Sequence, residues 1–301
     1  SRGEFVQSDA APYIVHIQKQ QTDPKDSVSL HPVTFGKFLK NHSVPSIING
    51  SLKRIGRNRL SLSFSKYMDA NQFLNNPALV EQNYKVFIPS FSVTRVGIVR
   101  GVPSEWSDDE VQANINVPIG CGPILKIRRI RRKIITEGKA EFKATESVVV
   151  TFDGQILPKR IFMCYTSLPV ELYIFPTIQC FNCCRFGHVK DNCRAHSGPR
   201  CYKCGQGHSG ASCAVSEEQA YCCLCKGPHF ANSKKCLEFE RQRSIKESMA
   251  KNCLSYLEAA KLHPPISRLS YADALLSSPS VPPMASASRS TIENDSQSSN
   301  T

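Results

Sequence analysis

Cys180-x2-Cys183-x4-His188-x4-Cys193, Cys201-x2-Cys204-x3-His208-x4-Cys213 and Cys222-x2-Cys225-x3-His229-x6-Cys236 follow one another in a single short stretch of this sequence. A Cys-x2-Cys turn brings two thiolates together, and a His and a Cys a few residues later close a tetrahedron around Zn2+. Each unit is too short to bury a core of its own, so the metal must supply its folding free energy. One bridged multi-zinc unit and a disulfide scaffold are the alternatives. The repeated Cys-Cys-His-Cys order favours three separate structural Zn2+ ions held by these twelve residues. In the third unit Cys222 is the better first ligand, because Cys223 stands only one residue from Cys225. Four protein ligands fill the shell and leave no position for the water that a catalytic zinc activates.

Around these clusters the chain is basic. Its 301 residues, enough for two or three domains, carry 38 Lys and Arg against 25 Asp and Glu, a formal net charge of +13. That balance favours polyanionic partners, nucleic acid above all. Of 14 cysteines, nine belong to the clusters; Cys184 and Cys223 sit beside ligands, and Cys121, Cys164 and Cys253 lie apart. Thiols interleaved with histidines at ligand spacing point to a reducing compartment, cytosol or nucleus. No apolar run reaches the length of a membrane span and no signal peptide is visible, although the chain opens on Ser1 rather than Met. There is no P-loop, nucleophile elbow, H-E-x-x-H or paired-carboxylate motif, so the expectation is a protein that is not an enzyme.

Upstream, the pattern predicts an α+β fold with two ferredoxin-like (RNA-recognition-motif-like) domains, over 12–92 and 93–178. In the first, Tyr13–Ile17, Ile47-Ile48, Leu60–Phe64 and Val86–Ile88 read as strands, with helices over Val33–Leu39 and Met68–Val80. In the second, Arg95–Val99, Ile124–Ile135, Ser147–Phe152 and Val170–Phe175 read as strands. Ser107 and Glu110 form a capping box for a helix, and Leu157–Cys164 reads as a short helix. Residues 1–11 and 264–301 read as disordered. The segment 237–263 reads as one amphipathic helix with Ile245, Met249, Cys253, Tyr256, Leu257 and Ala260 in a stripe, packed either on its own protein or on a partner.

Zinc knuckles bind single strands by stacking bases on aromatics while cations hold phosphates. Phe181, Phe186, Tyr202 and Phe230 are the candidate platforms, with Arg185, Lys190, Arg194, Arg200 and Lys203 among the candidate phosphate contacts. Gly187 and Gly207, each before a ligand His, fit tight turns. The run from Lys126 to Lys133 places Arg128, Arg129, Arg131 and Arg132 on a strand whose Ile127 and Ile130 face inward, leaving the cations for phosphate or for solvent. The usual aromatics of an RNA-recognition sheet are missing: Gly97 stands where one is expected, and Tyr13 and Phe64 read as core.

Gln179-Cys180-Phe181-Asn182-Cys183, Arg185-Phe186-Gly187-His188, Arg200-Cys201-Tyr202-Lys203-Cys204-Gly205 and Tyr221-Cys222-Cys223-Leu224-Cys225-Lys226-Gly227-Pro228-His229 resemble the Gag-like first-reading-frame proteins of insect non-LTR retrotransposons of the jockey and I types. The doubled Cys222-Cys223, the long last gap to Cys236, the helix that follows and Ser270-Tyr271-Ala272-Asp273-Ala274 carry the same resemblance, over about residues 178–276. It implies a protein that binds single-stranded RNA and DNA, coats its element's RNA and self-associates into cytoplasmic ribonucleoprotein particles. Nucleic-acid chaperone activity, nuclear entry and a reverse transcriptase partner belong to the same expectation. Cys184, a thiol the zinc sites do not need, and Glu217-Glu218, which would repel phosphate between the second and third knuckles, depart from that pattern.

Overall fold

The computed structural model describes residues 2–20, 28–136, 139–195 and 198–265, and they form a mixed α+β fold. Alternation builds its first sheet. β1 (Tyr13–Lys19) and β3 (Arg59–Phe64) turn Tyr13, Val15, Ile17, Leu60, Leu62 and Phe64 to one face, and all six are buried. With β2 (Lys53–Gly56) and β4 (Tyr84–Phe87) they form an antiparallel sheet of order β2-β3-β1-β4. α1 (Pro32–Asn41) and α2 (Tyr67–Leu74) cover that face with Phe35, Leu39, Ala70 and Phe73.

Three expectations for this region are corrected. The helix foreseen over Met68–Val80 is broken into α2 and α3 (Pro77–Glu81), because Pro77 drives Asn76 out of helical geometry. Asn76 then caps α3, its Oδ1 accepting the Ala78 amide at 3.0 Å. Ile47-Ile48 is no strand: left-handed backbone at Ser43 and Ser46 limits it to a single bridge from Ile47 to Phe64, and β2 takes the edge. Residues 2–11 are not loose, because one apolar anchor holds them. Phe5 is buried edge-on against Tyr13 at 5.2 Å, and the Asn71 amide grips the Phe5 backbone through two 2.8 Å bonds.

α4 (Ser90–Val93) leads into the second sheet. It contains β5 (Thr94–Arg100), β6 (Ile115–Asn116), β7 (Ile124–Thr136), β8 (Lys139–Asp153), β9 (Arg160–Met163) and β10 (Thr166–Leu172), in the order β6-β9-β10-β5-β8-β7. α5 (Asp108–Asn114) opens on the foreseen capping box, with bonds of 3.1 Å to Ser107 Oγ and 2.7 Å to Glu110 Oε2. The short helix expected at Leu157–Cys164 is instead the hairpin β9–β10. Ile161 and Met163 alternate inward, and Cys164 and Tyr165, both left-handed (φ 45° and 67°), make the two-residue turn whose twist suits paired strands.

Gly97 faces the core between these strands. A Cβ there would lie 2.3 Å from Val170 Cγ1 and 3.1 Å from Leu157 Cδ1, which explains why no aromatic stands at this position. Gly97→Ala is expected to overpack the core and cost about 1–3 kcal/mol, read as a lower midpoint in urea unfolding; an unchanged midpoint would refute this packing.

The single helix foreseen over 237–263 is two, α6 (Leu237–Asn252) and α7 (Tyr256–Leu262), separated by left-handed Cys253 (φ 51°) and a Ser255–Glu258 capping box. Ile245 is fully buried, and Met249 and Cys253 line a cavity of about 170 Å³ with Phe91, Val96 and Tyr173. Ile245, Met249 and Cys253 therefore pack on their own chain, whereas Tyr256 and Leu257 of the same stripe are exposed. Of the tail expected to be disordered at 264–301, residues 266–301 lie outside the described residues. No described helix is long and apolar enough to cross a membrane.

Candidate metal centres and nucleic-acid interface

One backbone frame occurs three times. The amide of the first Cys donates to the carbonyl five residues on: Cys180 to Arg185, Cys201 to Gln206, Cys222 to Gly227, at 2.8–3.0 Å. Its carbonyl accepts from the amide four residues on, that of Cys184, Gly205 or Lys226, each at 2.9 Å. Those three residues share a left-handed backbone, with φ of 61°, 78° and 68°. The frame starts at Cys222 and not at Cys223. It also moves the turn glycine of the second unit from the foreseen Gly207 to Gly205, whereas Gly187 is left-handed as expected (φ 96°).

Each frame converges three sulfurs and a histidine nitrogen. In all three sets of four, the ligand atoms lie within 4.8 Å of one another. A tetrahedral zinc with Zn–S near 2.3 Å requires S–S edges of about 3.7 Å and slightly shorter S–N edges. The observed S–S separations are 3.8 Å for Cys204–Cys213, 3.7 Å for Cys222–Cys236 and 3.6 Å for Cys225–Cys236. Nε2 of His188, His208 and His229 stands 3.3, 3.6 and 3.0 Å from the second Cys sulfur of its unit. His229 Nδ1 bonds the Phe230 carbonyl at 2.8 Å, which sets the proton on Nδ1 and leaves Nε2 as the donor to a metal. The amides of Asn182 and Lys203 point at the sulfurs of Cys180 and Cys201 (3.4 and 3.3 Å), as thiolates require. The donor sets fit zinc.

The three units are not beads on a string. Gln179 Nε2 of the first donates to the Ala231 carbonyl of the third at 2.9 Å. The Ala231 amide donates to the Tyr202 carbonyl of the second at 2.7 Å, and the Tyr221 amide to the Lys203 carbonyl at 3.0 Å. Arg200 N bonds the Asn182 carbonyl at 2.7 Å. Between them lies a small shared core of Cys184, Cys222, Ala231 and Cys236, with Tyr202, Leu224 and Phe239 against it. The spare thiols have a place here. Cys184 is buried, and its one S–H is shared between the Arg200 carbonyl, 3.3 Å away, and the Cys223 sulfur. The hydrogen bond from Cys184, together with the Arg200 charge, pulls Cys223 down to about 6 against the effect of burial; the same bond pushes Cys184 up.

This packing sorts the aromatics. Phe181 is 86 % exposed and stands at the rim of a cleft of about 260 Å³ lined by Gln179, Cys184, Tyr202 and Asn232. Tyr202 and Phe230, both half-buried, meet edge-on at 5.9 Å, so Phe230 serves chiefly as packing for Tyr202. Phe186, also half-buried, lies 6.1 Å from Phe239 of α6. Arg185, Lys190, Arg194 and Arg200 are exposed around them. Lys203 is different: its Nζ donates to the Cys213 carbonyl at 2.9 Å and so braces its own unit. Tyr221, which the sequence reading passed over, is exposed beneath Lys226, whose Nζ is 5.3 Å from the ring centroid. The signal for it was an aromatic next to a first ligand with a lysine at the left-handed position.

On the basic strand the four arginines part company. Arg129 is buried, 7 % exposed, and is a structural residue. Its guanidinium donates to the carbonyls of Val102, Thr145 and Trp106 at 3.3, 2.7 and 3.0 Å. Strand alternation puts Arg129, two residues on from Ile127, on the same inward face, and a bulge between Arg129 and Arg131 follows it, with Ile130 only half-buried. Arg128 is exposed and bonds the Tyr173 hydroxyl at 3.2 Å; Arg131 and Arg132 are exposed further along.

No family model and no curated protein matches the sequence. Among solved structures, the crystal structure of Cas6b is similar at 12 % identity over 52 % of this chain and 98 % of that one, with a TM-score of 0.14, too low to bear on fold or function.

Proposed function

We propose that the three clusters, loaded with zinc, form one surface for single-stranded nucleic acid, and that the protein is a non-enzymatic, Gag-like coat for a retroelement's RNA. Phe181 carries this reading. A large aromatic left almost wholly in water, on a turn shaped for metal, is a stacking platform without a partner. Arg185, Lys190, Arg194 and Arg200 surround it with charge for phosphates, and the adjoining cleft reaches Tyr202. Tyr221 with Lys226 offers a second such pair on the third unit. The exposed Glu217-Glu218, between the second and third units in the chain, would repel phosphate there.

The upstream sheets support a ferredoxin-like reading. The first has the matching strand order β2-β3-β1-β4. The second keeps β10-β5-β8-β7 and replaces the second helix with β9. Their role in this reading is assembly of the particle in the cytoplasm.

The test is fluorescence anisotropy of the full chain on single-stranded RNA, with zinc and with a chelator, across a salt series. Tight binding that zinc removal abolishes and salt weakens steeply is expected. Binding indifferent to the chelator would refute the knuckle surface.

A further inference from the structure

β7 and β8 outrun the sheet they belong to. β5 accompanies β8 only from Ser147 to Asp153; beyond it, Arg131–Thr136 and Lys139–Ala144 pair with each other alone among the described residues. The resulting ribbon is exposed on both faces, with Ile135 and Phe142 at 70 % and 63 % exposure. A bare two-stranded ribbon gains little stability of its own in water, so its length calls for a partner.

The register fixes its two faces, since directly opposed residues point the same way. Arg131, Lys133 and Ile135 stand opposite Ala144, Phe142 and Ala140; Arg132, Ile134 and Thr136 stand opposite Lys143, Glu141 and Lys139. One face therefore combines two cations with an apolar patch, and the other carries Arg132, Lys139 and Lys143 against the single Glu141. A second copy of so cationic a ribbon would be repelled. A single strand could engage only one face. The groove of a duplex offers phosphates on both sides and base edges on its floor.

We propose that this ribbon is a second nucleic-acid contact, independent of zinc, that lies in the major groove of duplex DNA. That groove, about 12 Å wide, admits a two-stranded ribbon. Six residue pairs span about 20 Å, or about six base pairs. The face with Phe142 and Ile135 suits thymine methyls, and Lys133 and Arg131 beside them suit guanine edges. Arg132, Lys139 and Lys143, on long stems, reach the phosphate walls. The proposal extends the nucleic-acid reading above but does not depend on the metal clusters.

The experiment uses the full chain with a short fluorescent DNA duplex and the corresponding single strand, each with zinc and with a chelator. The variants are Arg132→Ala with Lys139→Ala and Lys143→Ala, and separately Phe142→Ser. Duplex binding should survive chelation. The triple variant should weaken it about tenfold or more and lower the log–log salt slope by about 2.7, while zinc-dependent single-strand binding stays within about twofold. Phe142→Ser should weaken duplex binding with the salt slope unchanged. The proposal is overturned if the wild-type chain does not bind duplex, if chelation abolishes that binding, or if both variants leave it unchanged. Equal losses on duplex and single strand would overturn it too. Duplex binding without zinc-dependent single-strand binding would uphold the ribbon and refute only the knuckle surface.

Discussion

Cys222→Ser is expected to leave the protein with two tightly held zinc ions where the wild-type chain holds three, and Cys223→Ser to leave all three in place. The backbone frame argues the difference. Cys222, like Cys180 and Cys201, both gives and takes the bonds that close its turn, whereas Cys223 turns aside to Cys184. Removing a ligand thiolate forfeits much of a binding free energy of about 10–16 kcal/mol, which in so small a unit is also its folding free energy. The damage spreads, because Ala231 of the third unit bonds both Gln179 and Tyr202. Native mass spectrometry counts the ions directly. Loss of zinc from the Cys223 variant, or three ions on the Cys222 variant, would contradict the assigned frame.

Phe181→Ala should lower affinity for single-stranded RNA by about 1–3 kcal/mol, or about fivefold to 150-fold, with zinc content and melting behaviour unchanged. The ring touches so little of its own protein that truncation removes contacts only with a ligand. Phe230→Ala supplies the contrast. Its ring holds Tyr202 in place, so that variant should lower the thermal stability of the cluster along with its affinity. Anisotropy and calorimetry on the two variants separate these roles; full affinity in Phe181→Ala would remove the platform from the mechanism.

Features set by neighbours in the chain were legible in the sequence. The twelve metal-site residues and the Ser107 capping box depend on spacing alone, and their side chains converge as the spacing requires. What sequence reading missed depends on contacts between distant segments or on single backbone reversals. A run as short as Arg160–Met163 fits helix or strand until its partner β10 is seen. Pointing both Ile127 and Ile130 inward sets aside the period of two, which already puts Arg129 on the face of Ile127, where it is buried. Cys253, which is not glycine, splits the C-terminal helix with a left-handed turn that no composition rule flags. Phe5 was overlooked because it and Val6, adjacent in an otherwise polar segment, carry no period.

The bonds that tie the three zinc units to one another change how a strand would be held. Three knuckles on free linkers would act as tethered modules, with an effective concentration set by linker length and a footprint that stretches. Joined through Gln179, Tyr202, Tyr221 and Ala231, they form a ruler. On the proposed function, the number of nucleotides covered would then be constant, one dissociation rate would describe release, and packing along a long RNA would proceed in equal steps set by the protein.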